Sequence, residues 1–236
     1  MQAADLGKKA VGHRAAELVR DGMIVGLGTG STAYWLVERL GQRVAEGLSI
    51  VGIPTSERTA DQARGLGIPL GWLDEHPRLD LAIDGADQID PQGQLIKGLG
   101  GALVREKRVA RAAREFVVIA DASKEVSRLG VGCPVPVEIA PSAIDDVVHD
   151  LARLGAVPVL RREGSGPYVT DNEQWIVDAH FERGIDEPES LERLVNEIDG
   201  VVDNGLFTNL ASRILVADGE SVREWRPETA GRAPRG

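Results

Sequence analysis

The stretch MIVGLGTGSTAYWLVERL, residues 23–40, decides how the chain is read. Met23 to Leu27 is an apolar run of strand length that ends in Gly26-Leu27-Gly28-Thr29-Gly30-Ser31-Thr32. Tyr34, Trp35, Val37 and Leu40 then recur at helical spacing. A buried strand, a glycine turn and a helix in that order make the first half of a βαβ unit. Such a turn lets backbone N–H groups approach an anion at the positive end of the helix, and Ser31 and Thr32 add hydroxyl donors. The bland alternative is a tight strand-to-helix turn with no ligand. A dinucleotide site fits badly, because Ser31 stands where the third glycine of G-x-G-x-x-G belongs. The next strand ends Val51-Gly52-Ile53-Pro54 without an acidic residue for a ribose hydroxyl, and no P-loop lysine follows.

Outward from this stretch, helix and strand patterns alternate as a parallel sheet requires. Ala10 to Val19 reads as a helix, Ser49 to Ile53 as a strand, and Thr55-Ser56-Glu57 as a helix start with Asp61 on its first turns. Leu79 to Ile83 is a strand, Gly101 to Arg114 a helix, and Phe116 to Ala120 a strand. Glycine and proline cluster at Gly130 to Pro136, which sets a domain boundary. Beyond it come strand Val135–Ile139, helix Ser142–Leu154, strands Val157–Leu160 and Trp175–Ala179, helix Leu191–Ile198 and strand Val201–Val202. That β-α-β-β-α-β order is the split βαβ, ferredoxin-like pattern. After Gly205 the chain is expected to rejoin the first domain, adding Ile214–Ala217 and Val222–Trp225 across an Asp218-Gly219 turn. The expected division is therefore 1–130 with 206–236, and 131–205, with 226–236 a frayed tail. The fold class is α/β, with a smaller α+β domain.

Four polar clusters follow predicted strands, on what would be one edge of one parallel sheet. The first is the glycine turn. Asp84-Gly85-Ala86-Asp87 places two carboxylates across a tight turn at a strand's carboxyl end, where open α/β sheets hold ligands; a solvated turn is the plain alternative. Lys97-Gly98-Leu99-Gly100-Gly101 sets a lysine and glycine-exposed N–H groups at a helix start, a trap for an oxyanion or phosphate. Glu106 lies a little over one turn into that helix, where a glutamate is commonly just a partner of the helix dipole. Asp121-Ala122-Ser123-Lys124 brings a lysine to the same rim. Taken singly each is weak; their convergence on one edge is the signal.

Composition excludes other classes. The net charge of −10 lacks the basic footprint that nucleic acid requires. No apolar run approaches the roughly 18 residues of a membrane span, and no secretory leader is evident. One cysteine, Cys133, fits a reducing cytoplasm. His13, His76, His149 and His180 are scattered without metal-ligand spacing, so no metal is expected.

These motifs together resemble ribose-5-phosphate isomerase A. The residues that carry the resemblance are GLGTGST (26–32), DGAD (84–87), KGLGGALVREK (97–107) and IADASK (119–124). Pro136-Val137-Glu138, GPYVTDN (166–172) and GVVDNGLF (200–207) extend it over nearly the whole chain. The resemblance implies interconversion of ribose 5-phosphate and ribulose 5-phosphate in the pentose phosphate pathway. It implies a Rossmann-like main domain without a dinucleotide, a smaller domain that helps form a homodimer or homotetramer, and no cofactor. Carried over by position, Thr29, Gly30, Ser31, Thr32, Asp84, Gly85, Ala86, Asp87, Lys97, Gly98, Leu99, Gly100 and Lys124 contact substrate, and Glu106 is the general base, with Asp84, Asp87 and Lys97 also catalytic. Leu99 departs from the family's K-G-G-G, and leucine takes a positive φ only at a cost. Glu173-Gln174 replaces a more usual Gly-Asn at a hairpin tip. Two other readings compete: a sugar-phosphate sensor, disfavoured because only about twenty residues precede the first strand and the charge is acidic, so that no DNA-reading module is expected, and an amino-sugar phosphate deaminase, disfavoured by the match across 97–107.

Overall fold

In this computed structural model residues 3–228 are described; residues 229–236, and with them most of the expected tail, lie outside. The chain folds into two units, and elements are numbered along the whole chain. Of the described residues, the larger unit holds 3–86, 105–125 and 209–228. Its elements are α1 (Ala3–Ala16), β1 (Ile24–Leu27), α2 (Ser31–Ala45), β2 (Val51–Pro54), α3 (Glu57–Gly65) and β3 (Leu81–Gly85). Most of α4 (Leu103–Ala112) follows, then β6 (Phe116–Asp121), β14 (Arg213–Asp218) and β15 (Ser221–Trp225). The sheet order is β15-β14-β6-β3-β1-β2, parallel throughout except for the antiparallel edge hairpin β14–β15. Leu27, Leu36, Ile83, Val117, Ile119 and Leu215 are buried in its core.

Two helices stop earlier than their apolar spacing predicts. After Ala16 the N–H groups of Leu18 and Val19 reach back only three residues, to Ala15 and Ala16, and the chain turns toward Gly22. Val19 is as buried as a helix residue, which is why periodicity alone overruns the end. Arg43, in the last turn of α2, donates to the carbonyls of Ala16 and Val19 and so satisfies groups that a helix end leaves open. Helix α4 ends at Ala112, because Leu79 draws the next residues into a bridge: its N–H donates to Ala112 and its carbonyl accepts from Arg114.

The smaller unit holds residues 87–104 and 126–208. Residues 87–104, 126–130 and 206–208 therefore fall here rather than with the Rossmann-like part, where the sequence reading put them. The reason is a three-stranded antiparallel sheet, β13-β5-β4, formed by β4 (Gln88–Ile89), β5 (Leu95–Ile96) and β13 (Leu206–Phe207). Strands of two residues have no periodicity to read. The main sheet of this unit runs β12-β7-β11-β8, all antiparallel, from β7 (Val135–Ile139), β8 (Val157–Leu160), β11 (Trp175–His180) and β12 (Val201–Asn204). Val137, Ile139, Val177, Val147 of α5 (Ile144–Arg153) and Val195 of α6 (Pro188–Asn196) share its core. A short hairpin, β9 (Arg162–Glu163) with β10 (Gly166–Pro167), lies between β8 and β11. Within the core, Glu138 is fully buried and its Oε1 accepts from Thr170 Oγ1 (3.3 Å) and Asn172 Nδ2 (2.9 Å). Among the described residues no helix is long and apolar enough to cross a membrane.

The hairpin tip after Thr170 carries a local cost. Glu173 adopts φ 60, in the left-handed region, while its N–H donates to Thr170 O at 2.9 Å. An L-residue there costs roughly 1–2 kcal/mol, part of which glycine's greater chain entropy would offset. Glu173→Gly should therefore raise stability by about 0.5–1 kcal/mol, read as a higher urea midpoint at unchanged slope. An unchanged or lowered midpoint would mean that the Glu173 side chain supplies more than the backbone loses.

Candidate active site

The glycine turn of the larger unit is organised around Asp84. The Asp84 side chain leaves the end of β3 and is 3% exposed, and its Oδ1 accepts from the N–H of Thr29 (3.0 Å) and of Gly85 (2.7 Å). Gly28 lacks a side chain for a definite reason: a Cβ there would sit 2.2 Å from Asp84 Oδ1. The close approach that the sequence reading assigned to a phosphate is, at Gly28, made by this carboxylate. Gly30 takes φ 127 with open space where a Cβ would point, so its role is conformational. It precedes α2, which has neither a side-chain cap nor an acidic residue in its first turn. Such a helix start, with its leading N–H groups uncapped by a side chain, is chemically suited to an anion. Ser31 is exposed there, Thr32 is buried, and a cavity of about 440 Å³ reaches Gly30 and Ser31, with Asp5, Tyr34, Trp35, Arg58 and Gln62 on its other walls.

Thr29 turns inward. Its hydroxyl lies 2.7 Å from Thr55 Oγ1, 2.8 Å from Ser56 Oγ and 3.1 Å from Thr59 Oγ1. Thr59 Oγ1 also donates to Gly28 O (3.1 Å) and Thr55 Oγ1 to Leu27 O (3.0 Å). Four buried hydroxyls thus tie the turn to the start of α3, whose N-cap is Ser56. The sequence marked Thr55-Ser56 only as a helix start; four alcohols over two turns was the available signal for more.

Glu106 stands in the first turn of α4 and is 5% exposed, and Lys107 beside it is fully buried. Residues 105–108 do not form a solvated charged face: Arg105 pairs with Glu57 Oε1 at 2.8 Å, and Arg108 alone of the four is exposed. A glutamate in a first helical turn is seldom removed from water in this way. Lys124 is half-buried in a single 3₁₀ turn after β6, where Asp121 accepts from Ser123 N–H at 3.0 Å. The carboxyl ends of β1, β3 and β6 share one edge of the parallel sheet, so three of the four clusters converge as expected. The fourth does not belong to that sheet, since Lys97 follows β5 of the small antiparallel sheet.

In the smaller unit, Lys97 is 2% exposed. Its N–H donates to Gly205 O at 2.9 Å and its Nζ lies 5.4 Å from the centre of the Phe207 ring. The chain then turns on itself, with Gly101 N–H donating to Gly98 O at 3.0 Å. The two positive φ values in this turn fall on Gly98 (100°) and Gly101 (83°); Leu99 has none, and the strain expected there does not arise. Leu99 points its side chain outward, 44% exposed, and gives its N–H to Asp87 Oδ2 at 3.0 Å. Among the described residues the N–H groups of Gly98 and Gly100 have no acceptor, whereas those of Lys97, Leu99 and Gly101 do. Burial raises the Tyr168 hydroxyl above its ordinary value beside this turn, and raises the Asp90 carboxyl against the opposing pull of three backbone N–H groups.

Comparison with known proteins places this arrangement. A family profile described as ribose 5-phosphate isomerase A (phosphoriboisomerase A) matches residues 51–221. The ribose-5-phosphate isomerase A of Gluconobacter oxydans is 49% identical over 224 residues, covering 93% of this chain and 96% of that protein. That of Methanoregula boonei is also 49% identical, covering 92% and 91%. Among solved structures, ribose 5-phosphate isomerase A from Methanocaldococcus jannaschii superposes with a TM-score of 0.91 at 42% identity, over 95% of this chain and all of the other. A D-ribose-5-phosphate isomerase in complex with phospho-erythronic acid gives 0.91 at 37% identity, over 96% and 100%.

The dependence of the turn on Gly28 is testable. Gly28→Ala must push the Asp84 carboxylate off the Thr29 N–H, an overpacking that costs about 1–3 kcal/mol. A urea midpoint equal to the parent's would show that the carboxylate has another seat.

Proposed function

The chain belongs to the ribose-5-phosphate isomerase A family, and we propose that Glu106, Asp84, Asp87 and Lys97 carry its interconversion of D-ribose 5-phosphate and D-ribulose 5-phosphate. The reaction moves one proton between two carbons. Glu106 removes the proton from C2 of the open-chain aldose, and the electron pair flows toward the C1 carbonyl to give an enediolate. The same carboxyl group returns the proton to C1 while the hydroxyl proton passes from the C2 oxygen, which becomes the ketone, to the C1 oxygen, which becomes the hydroxyl. The observation that carries this assignment is the burial of Glu106 in the first turn of α4. A carboxylate without bulk water is positioned for transfer to carbon rather than exchange with solvent.

The enediolate needs positive charge and hydrogen-bond donors at its oxygens. Lys97 supplies the charge, and Gly98 and Gly100 supply N–H groups not already taken by the protein. Leu99 N–H holds Asp87 instead, which orients that carboxylate for moving protons among the sugar oxygens. Asp84, fixed through Oδ1, has the same role, including ring opening. Ser31, Thr32 and the N-terminus of α2 receive the phosphate, with Gly30 shaping the turn and Lys124 as a further contact. Thr29 acts through the backbone it holds. An aldonate such as phospho-erythronic acid shares one negative charge over two oxygens, as an enediolate does. Its presence on a related isomerase supports the reading.

The remaining assignments belong to the same proposal. The enzyme works in the cytoplasm as a homodimer or homotetramer, without cofactor, metal or nucleic acid; the charge of −10 supports the last point. The Rossmann-like part and the smaller part are separate domains, and the smaller is ferredoxin-like. The β12-β7-β11-β8 order with two helices in β-α-β-β-α-β sequence supports that description.

A coupled assay of ribose 5-phosphate conversion, with and without EDTA, should show turnover indifferent to the chelator. Glu106→Gln should lower kcat by about 10²–10⁴-fold at nearly unchanged KM. Full turnover in that variant would remove Glu106 from the role of base.

A further inference from the structure

One side chain grips the Lys97–Gly101 turn from behind. Arg161 lies between β8 and β9, its own backbone fixed by N–H donation to Ile176 O (2.8 Å) and acceptance from Tyr168 N–H (2.9 Å). Its Nη1 donates to the carbonyls of both Gly98 (3.1 Å) and Leu99 (3.0 Å). Nε donates to Asp178 Oδ2 at 2.9 Å and Nη2 to Asp178 Oδ1, a fork-to-fork pair whose side chains are 13% and 16% exposed. The guanidinium carbon lies 5.8 Å from the centre of the Tyr168 ring, and that tyrosine closes against Gly101, where a Cβ would come within 2.1 Å of its oxygen.

The consequence follows from peptide geometry. No cis bond interrupts the turn, so in each planar unit the N–H points opposite to the C=O. The Gly98 carbonyl shares its plane with the Leu99 N–H, and the Leu99 carbonyl with the Gly100 N–H. Drawing two successive carbonyls to one guanidinium therefore turns two successive N–H groups to the other side, the concave arrangement that holds anions. One of the pair is spent on Asp87 Oδ2. The other, Gly100 N–H, faces the same side with no acceptor among the described residues. Because Asp178 neutralises the guanidinium, the effect is orientation more than field.

We infer that Arg161 is a positioning residue for the isomerisation: it sets the Gly98–Leu99 and Leu99–Gly100 peptide planes so that Gly100 N–H meets an enediolate oxygen beside Asp87. The inference rests on the reading of the Lys97–Gly101 turn as the oxyanion site. It also explains why leucine is tolerated at 99, since orientation comes from the arginine and not from glycine's freedom at that position.

The test compares Arg161→Met, Arg161→Lys and Arg161→Ala, each checked for an unfolding midpoint near the parent's. Arg161→Met should lose about 10–100-fold in kcat with KM within about twofold, since an interaction used in the transition state is lost. Arg161→Lys, which can reach one carbonyl but not fork, should fall between. Methylguanidinium added to Arg161→Ala should restore kcat at least about tenfold while leaving Glu106→Gln unchanged. An unaltered kcat in Arg161→Met, or a loss that tracks the unfolding midpoint and resists rescue, would overturn the inference. Lys97→Ala separates the two levels: full kcat there would fail the oxyanion reading itself, whatever Arg161 does.

Discussion

Asp84 Oδ1 accepts two backbone N–H groups at once, one from its own turn and one from Thr29 across the sheet. Much of the larger unit is arranged so that this carboxylate can sit there. Gly28 has no side chain because the carboxylate occupies that space. Four buried hydroxyls hold the Thr29 backbone so that its N–H arrives correctly, and they bring α3 with them. Parallel pairing of β1 with β3 puts the two strand ends at the same edge. A buried carboxylate without such donors would be costly, so the glycine turn and the aspartate specify each other. The sequence presents them as two motifs; physically they are one.

The smaller unit solves the corresponding problem for a cation. Lys97 is nearly fully buried on a sheet whose strands have two residues each, too short to be stable alone. Its support comes from far along the chain. Gly205 O accepts the Lys97 N–H, Gly205 N–H is anchored on Pro136 O at 2.7 Å, and Asn204 ties the segment to α6 through Glu192 O and Asn196 Oδ1. Phe207 then lies under the ammonium. The stretches 136–138, 166–172 and 200–207 accordingly belong to this scaffold, with Glu138 held by Thr170 and Asn172, and Gly205 and Phe207 placed at Lys97.

This division marks what could be read from the sequence. The parallel sheet was legible, because β1, β3 and β6 are apolar runs followed by polar turns, the pattern of strands buried on both faces. Helix ends were not. Val19 buries like a helical residue, and the carbonyl caps from Arg43 come from 27 and 24 residues away. Glu106 was named by resemblance, while its position pointed to an ordinary partner of the helix dipole; its burial is a tertiary fact. The Lys97 cluster was expected on the parallel edge because Leu95-Ile96 looks like any other short apolar pair. Its true partners, Leu206 and Phe207, lie more than a hundred residues on.

Leu99 is the point where local and tertiary reasoning part most clearly. From the sequence, a bulky residue in a glycine motif threatens the donor geometry, because glycine is the residue that can adopt any φ. In the structure the turn spends its positive φ values at Gly98 and Gly101, and residue 99 needs none. A turn of this kind still has to choose which way its peptide planes face, and local sterics leave that choice nearly free. Arg161 removes the freedom by holding two carbonyls, and Asp178 removes the freedom of Arg161. On the proposed reading of this turn as an oxyanion site, its precision lies in a side chain more than sixty residues away, where no local motif could have announced it.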